Sequence, residues 1–450
     1  NAAVVFASKS LAHWLDDPAF LSDLLAPWHS SEEEMDLLAG VVDSIRAPRD
    51  PHDPPPSEGI AIMTGEEADE LLPGLWEGNF ATDPQHGQAE DKASIEFRLP
   101  PLLNDPRKLQ TTVPMANTLF ANGRPNTMFA ARLGASDFDT SQPAFTQFAY
   151  KTSQVIYPGR GPRYESTVSA PLVPITRQRQ IVQGLGNILK QVEELGEIVP
   201  ASRKLEIRIP EILKARSESE LELKQRPLTV WAGIYPNELV RGSELPGVDE
   251  LVPEWAQIRY PVRLLPNGFG TSREVAASSA FRLLMPGLLA GGSHFRQVLS
   301  GGGGWGQKQG LLSLDPESRY STEDHEDVES FIRSFKGEEA VGSGIVTPGS
   351  WVQYFVECAI SDVPWSAQLE RPFQEIRKYE NLNETISLGV HDDAEEPPQY
   401  NKVRLSQDYF GVSTSTGLYI ASPSKPKPPS TRPVITTKIA APGTELLSYI

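Results

Sequence analysis

Apolar positions recur at roughly helical spacing through the first 47 residues. Leu11, Trp14, Leu15, Leu21, Leu24 and Leu25 predict one helix. Met35, Leu37, Leu38, Val41, Val42 and Ile45 predict a second, capped by Ser30 or Ser31, with Glu32, Glu33 and Glu34 in its first turn. Pro48 and the Asp50–Pro56 run end it as a stiff extended linker. A short helix covers Glu66–Leu72. Near residue 94 the period changes to two, and Ile95, Phe97 and Leu99 alternate like a strand. Thr111–Phe120 and Thr127–Arg132 flank Asn122-Gly123, a hairpin signal that Arg124-Pro125 lengthens. Thr167–Ile175 is extended. Arg177–Leu195 is expected to be a helix, with Ile181, Leu185, Ile188, Leu189 and Val192 as its apolar stripe. Lys204–Ile209 and Leu228–Ile234 read as strands with a polar helix between them.

Further along, Gln257–Leu265 is an expected strand, and Ser272–Leu288 and His325–Phe335 are expected helices. Phe295–Leu299, Trp351–Val356, Thr385–Val390, Leu418–Ala421 and Val434–Ile439 read as strands, with a Pro- and Lys-rich linker over Ser422–Pro433. Helices and strands mix without regular βαβ order or an internal repeat. The expected fold is α+β, a mixed and mainly antiparallel sheet with packed helices and a helical acidic N-terminal part. The expected domains are 1–58, a core over 59–421 with a possible division near 300–345, and a C-terminal linker and strand over 422–450.

Charge is segmented. Residues 1–100 carry a net −15, residues 101–300 a net +5, residues 301–400 a net −12 and the last fifty a net +4, within −18 overall. Whole-chain acidity argues against nonspecific nucleic-acid binding, while the basic residues over 170–216 keep an RNA-associated role open as an alternative. Glutamates interleaved with them favour a solvated surface of mixed charge. The single cysteine, Cys358, excludes an internal disulfide framework and a multi-cysteine zinc site; it reads as a small buried apolar residue. No apolar run is long enough to span a bilayer as a helix. The chain starts at Asn1, which is compatible with removal of a targeting segment.

One stretch stands out for chemistry: Ser300-Gly301-Gly302-Gly303-Gly304-Trp305-Gly306-Gln307-Lys308-Gln309-Gly310. Gly301, Gly303 and Gly306 satisfy a dinucleotide spacing, and Lys308 is a cation that would neutralise a phosphate. Gly310 interrupts the helix such a site needs. The competing accounts are a tight structural crossing, with Trp305 packed over nearby backbone, and a plain flexible loop. Asp324-His325-Glu326-Asp327 and His391-Asp392-Asp393 pair histidine with carboxylates, but neighbouring residues do not converge on one metal, so neither metal nor cofactor is expected. His294 beside Ser293 does not establish a triad by adjacency, and a nucleophile elbow is missing.

The runs Val113–Thr127, VPMANTLFANGRPNT, and Ser300–Pro316, SGGGGWGQKQGLLSLDP, resemble a signature in proteins of filamentous fungi. That resemblance implies a mitochondrial protein whose presequence has been removed, and it supplies no catalytic residue. The expected function is a non-catalytic binding or scaffolding subunit that docks against other protein subunits. A nucleotide- or phosphometabolite-binding enzyme built on the glycine loop is the alternative.

Overall fold

In the computed structural model the described residues are 1–28, 34–46, 58–78, 80, 92–99, 109–134, 145–158, 165–217, 228–237, 239, 271–301, 310–317, 345–358, 385–390, 403–407, 409–422, 435–441 and 443–449. Strands are numbered β1–β24 and helices α1–α5 in chain order.

The N-terminal strand β1 (Ala2–Ser8) lies inside a seven-stranded sheet. It runs parallel to β2 (Met35–Val42) and antiparallel to β4 (Glu58–Gly65). Beyond β4 come β19 (Thr385–Val390) and β20 (Val403–Gln407); beyond β2 come β7 (Met128–Leu133) and β8 (Phe145–Tyr150). A parallel pair needs a crossover. The 3-10 helix Lys9–Asp16 and α1 (Pro18–Leu25) supply it, with the Asp17 side chain accepting from the Ala19 N–H at 2.9 Å and Pro18 opening the helix.

All seven residues of β1 are buried. Ala3, Val5 and Ala7 face Leu15, Leu21 and Leu25 of the crossover. Ala2, Val4 and Phe6 face two smaller sheets. One is five-stranded, in the order β23 (Ile435–Ile439), β22 (Leu418–Ser422), β6 (Gln110–Pro114), β5 (Ser94–Arg98), β9 (Ser153–Ile156). The other is four-stranded, in the order β10 (Glu165–Ser169), β24 (Glu445–Tyr449), β21 (Tyr409–Ser413), β3 (Ser44–Ile45). Phe6, Phe97 and Phe410, one from each sheet, meet with ring centroids 5.6 to 6.2 Å apart.

A closed six-stranded barrel forms the remaining unit. Its strands run in the order β18 (Trp351–Glu357), β12 (Arg179–Leu185), β13 (Ile188–Glu194), β17 (Leu312–Leu314), β16 (His294–Gly301), β15 (Val230–Tyr235), and β15 returns to pair with β18. Two strands attach to it: β11 (Leu172–Pro174) pairs with β18, and β14 (Glu197–Pro200) with β13. Val352, Tyr354, Val356, Val230, Ala232 and Ile234 share one core with α4 (Arg203–Ser217), through Leu205 and Ile212. The opposite faces of β15, β16 and β18 supply Tyr235, Phe295 and Phe355 to the core shared with the sandwich. There α5 (Thr271–Ala290) inserts Phe281, 4.6 Å from Phe355 and 5.6 Å from Phe295.

The protein is therefore β-rich and built around a barrel, which corrects the expected α+β class with packed helices. Four local expectations fall with it. Met35–Val42 is a central strand, because its apolar run is buried on both faces and carries no period. Arg177–Leu195 is the β12–β13 hairpin, turning at Gly186 with φ +59°. Lys204–Ile209 belongs to a helix. The strands flanking Asn122-Gly123 belong to different sheets, and the short helix α3 (Leu119–Asn122), closed by Gly123 in the left-handed region, lies between them. The first 45 residues are not a separate helical part: β1 and β2 pair with β4 and β7. The α2 helix (Ala68–Leu71), β5, β15, β18, β22 and α5 lie where the pattern puts them. The expectations over Asp50–Pro56, Gln257–Leu265, His325–Phe335, the His391 cluster and residues 423–433 lie outside the described residues.

Because Phe97 is fully buried in the three-ring cluster, Phe97→Ala is expected to cost about 3–5 kcal/mol in urea unfolding. The conservative Phe97→Leu should cost less than half of that, since it keeps most of the volume.

Candidate functional site

A cleft of about 490 Å³ opens where β15 and β16 part company. Their pairing extends to Trp231 opposite Gln297; β15 continues against β18 at Val230, and β16 continues against β17 to Gly301. The helix α4 roofs the gap. Its apolar stripe Leu205, Ile209, Ile212 follows helical spacing and faces the barrel. Leu205, Ile209, Leu228, Val230, Val298 and Leu312 give the cleft its apolar lining.

Its polar groups are few. Ser202 Oγ donates to Glu206 Oε1 at 2.7 Å, and Glu206 Oε2 has no partner among the described residues. Pro210 lacks the N–H that would have bonded the Glu206 carbonyl in the helix ladder. Gln297, Ser300 and Thr229 complete the rim. Among the described lining residues Glu206 alone is ionisable. The cleft thus suits an apolar group carried next to a cation or a strong hydrogen-bond donor.

The glycine loop starts at this cleft. Gly301 lines it and ends β16. A Cβ there would lie 2.4 Å from Leu312 Cδ2 and 2.6 Å from the Leu311 carbonyl, so Gly301 serves close approach of two strands. At the far end Gly310 is left-handed, and a Cβ would sit 2.6 Å from Pro200. Gly303, Trp305, Gly306 and Lys308 lie outside the described residues. Sequence reasoning placed a polar helix only after Ile209 and read the first half of α4 as a strand, and so missed the helix face that closes the cleft and, with it, Glu206. The Leu205, Ile209, Ile212 spacing was its available signal.

Inside the barrel, Arg179 is 5% exposed and stacks 5.0 Å from the Tyr354 ring. None of its three side-chain nitrogens has a hydrogen-bond partner among the described residues. Burial lowers its pKa, against the attraction of Tyr354 and Glu194. Tyr354 donates to the Ala201 carbonyl at 3.0 Å, and burial pushes its pKa well up. Other members of the basic 170–216 segment are also engaged: Lys204 with Glu194 at 2.8 Å and Arg208 with Glu211 at 2.7 Å. Cys358 is buried. Among the described residues no cluster could hold a metal ion, and no helix is long and apolar enough to cross a membrane.

His294 lies opposite Ile234 on the barrel wall, its Nε2 3.1 Å from the Ile345 carbonyl, while Nδ1 has no partner among the described residues. Desolvation, with the positive charge of Arg296, holds its pKa down to about 3, from an ordinary 6.5. The unfolded chain therefore takes up this proton first as pH falls. The contribution of His294 to stability is intact above about pH 6.5 and is lost as pH drops toward 3. In urea unfolding between those values His294→Gln should show a shallower acid loss than the parent; equal slopes would refute the assignment. Comparison with family models, curated proteins and solved structures finds no match for this chain.

Proposed function

We propose that the chain is a non-catalytic binding component of a larger assembly, and that the cleft under α4 receives an apolar side chain of a partner protein carried next to a basic residue. The observation that supports this most is the combination of six apolar lining residues with one available carboxylate, Glu206. An apolar anchor supplies the area, and a cation meeting Glu206 Oε2 supplies orientation. A phosphate group would meet a like charge there, so the nucleotide reading draws no support from the described part of the cleft. In this reading the assembly is mitochondrial, on the strength of the resemblance over Val113–Thr127 and Ser300–Pro316.

A photocrosslinking side chain at Ser300, on the exposed rim, tests it in cells. A discrete adduct is expected, from a native complex heavier than the 49.5 kDa chain. Ile209→Glu sets a second carboxylate in the cleft. It should reduce the adduct by about tenfold or more, with a melting temperature within about 4 °C of the parent. A protein that forms no adduct and migrates as a lone chain overturns the reading.

A further inference from the structure

The hairpin of β13 and β14 turns through Leu195-Gly196, and both residues have positive φ, +54° and +87°. A two-residue turn of this hand favours Asn-Gly, because a bulky side chain is strained in the left-handed region. Leu195 is the single non-glycine residue with positive φ among the described residues. No contact offsets that strain. Leu195 is 98% exposed, and a Cβ on Gly196 would meet no atom within 4 Å.

A second local rule is broken beside it. Glu194 and Glu197 lie directly opposite each other, where like charges destabilise a strand pair. Lys204 of α4 meets Glu194 at 2.8 Å and ties the hairpin to the helix. Glu197 is exposed, as is Glu193, and among the described residues neither pairs with a cation. Ile198, opposite Glu193, is 60% exposed. Val192 and Val199 pair across the same two strands and are buried in the barrel core, which holds the hairpin in place. Leu195 and Ile198 thus stand in solvent on an anchored hairpin, flanked by two unpaired carboxylates.

We infer that this hairpin tip docks into a partner protein, Leu195 and Ile198 entering an apolar pocket bordered by lysine or arginine. Departures from local preference that bring the fold no gain are expected at functional positions. The apolar pair calls for cover, and the carboxylates decide what supplies it. A second copy meeting tip to tip would set Glu193 and Glu197 against their own kind, and an anionic lipid surface would repel both. A basic partner pairs them, as complementary potentials across an interface require. None of these four residues lines the cleft under α4.

A photocrosslinking phenylalanine derivative in place of Ile198 tests this in cells. The expected result is a discrete adduct heavier than the 49.5 kDa chain, whose crosslinked partner peptide carries lysine or arginine close to the attachment point. Leu195→Asn, and Glu193→Lys combined with Glu197→Lys, should each reduce the adduct by about tenfold or more. Purified Leu195→Asn should melt at or above the parent, because asparagine tolerates the left-handed turn. Weaker docking without weaker folding separates a docking residue from a structural one. The inference is overturned by a lower melting temperature for Leu195→Asn, by no adduct, or by an adduct of twice the chain's mass. A partner peptide free of cations, or an adduct that either variant leaves unchanged, overturns it equally. The cleft is probed separately from Ser300, so its partner stands or falls on its own adduct.

Discussion

Three phenylalanine rings hold this architecture together. Phe6 comes from the seven-stranded sheet, Phe97 from the five-stranded and Phe410 from the four-stranded sheet, and all three are fully buried. Each sheet has an apolar face that is stable only when another sheet covers it, so the contact is mutual. A second aromatic group, Phe281, Phe295 and Phe355, repeats the arrangement where α5 meets the barrel. Between the two lies one continuous apolar core, from Ala2 to Leu446. Charge helps at its margin: Glu445 is buried with Arg282 at 3.4 Å and accepts from Ser169 at 3.1 Å, linking β24, α5 and β10.

That core fixes the barrel from outside and leaves its other side to α4. The cleft exists because β15 and β16 obey different partners beyond Trp231 and Gln297. Closing a small barrel forces such divergence at a corner, and the helix that covers the corner brings its own irregularity in Pro210. Shape and chemistry at the cleft thus have separate origins, one in strand topology and one in the Glu206 carboxylate that α4 carries.

Much of the strand content was legible. β5 and β18 carry alternation, and β15 and β22 have short β-rich runs bounded by turn residues. Legibility failed where burial on both faces erased the period. Met35–Val42 shows apolar residues at helical and at strand spacing alike, and only its neighbours β1 and β7 decide between them. The β12–β13 hairpin misled for the opposite reason. Its bulges shift the register, so Ile181, Leu185 and Ile188 fall at intervals that mimic a helix. At the cleft, Gly301 was legible as a position of close approach, while Glu206 was not, because a carboxylate becomes informative only once its neighbours in space are known.

The seven-stranded sheet has a consequence for how the chain is made. Its middle strand, β1, precedes every one of its sheet partners in the chain, yet the flank beyond β4 is β19 and β20, which begin at Thr385 and Val403. The outer edge of β4, which ends at Gly65, therefore waits, unpaired, through the long stretch of synthesis that separates it from Thr385. During that interval the nascent chain presents Ile60 and Ile62 on an open edge, a target for any strand nearby. Translation speed and the holding of nascent chains thus bear on the yield of this fold as directly as its final stability.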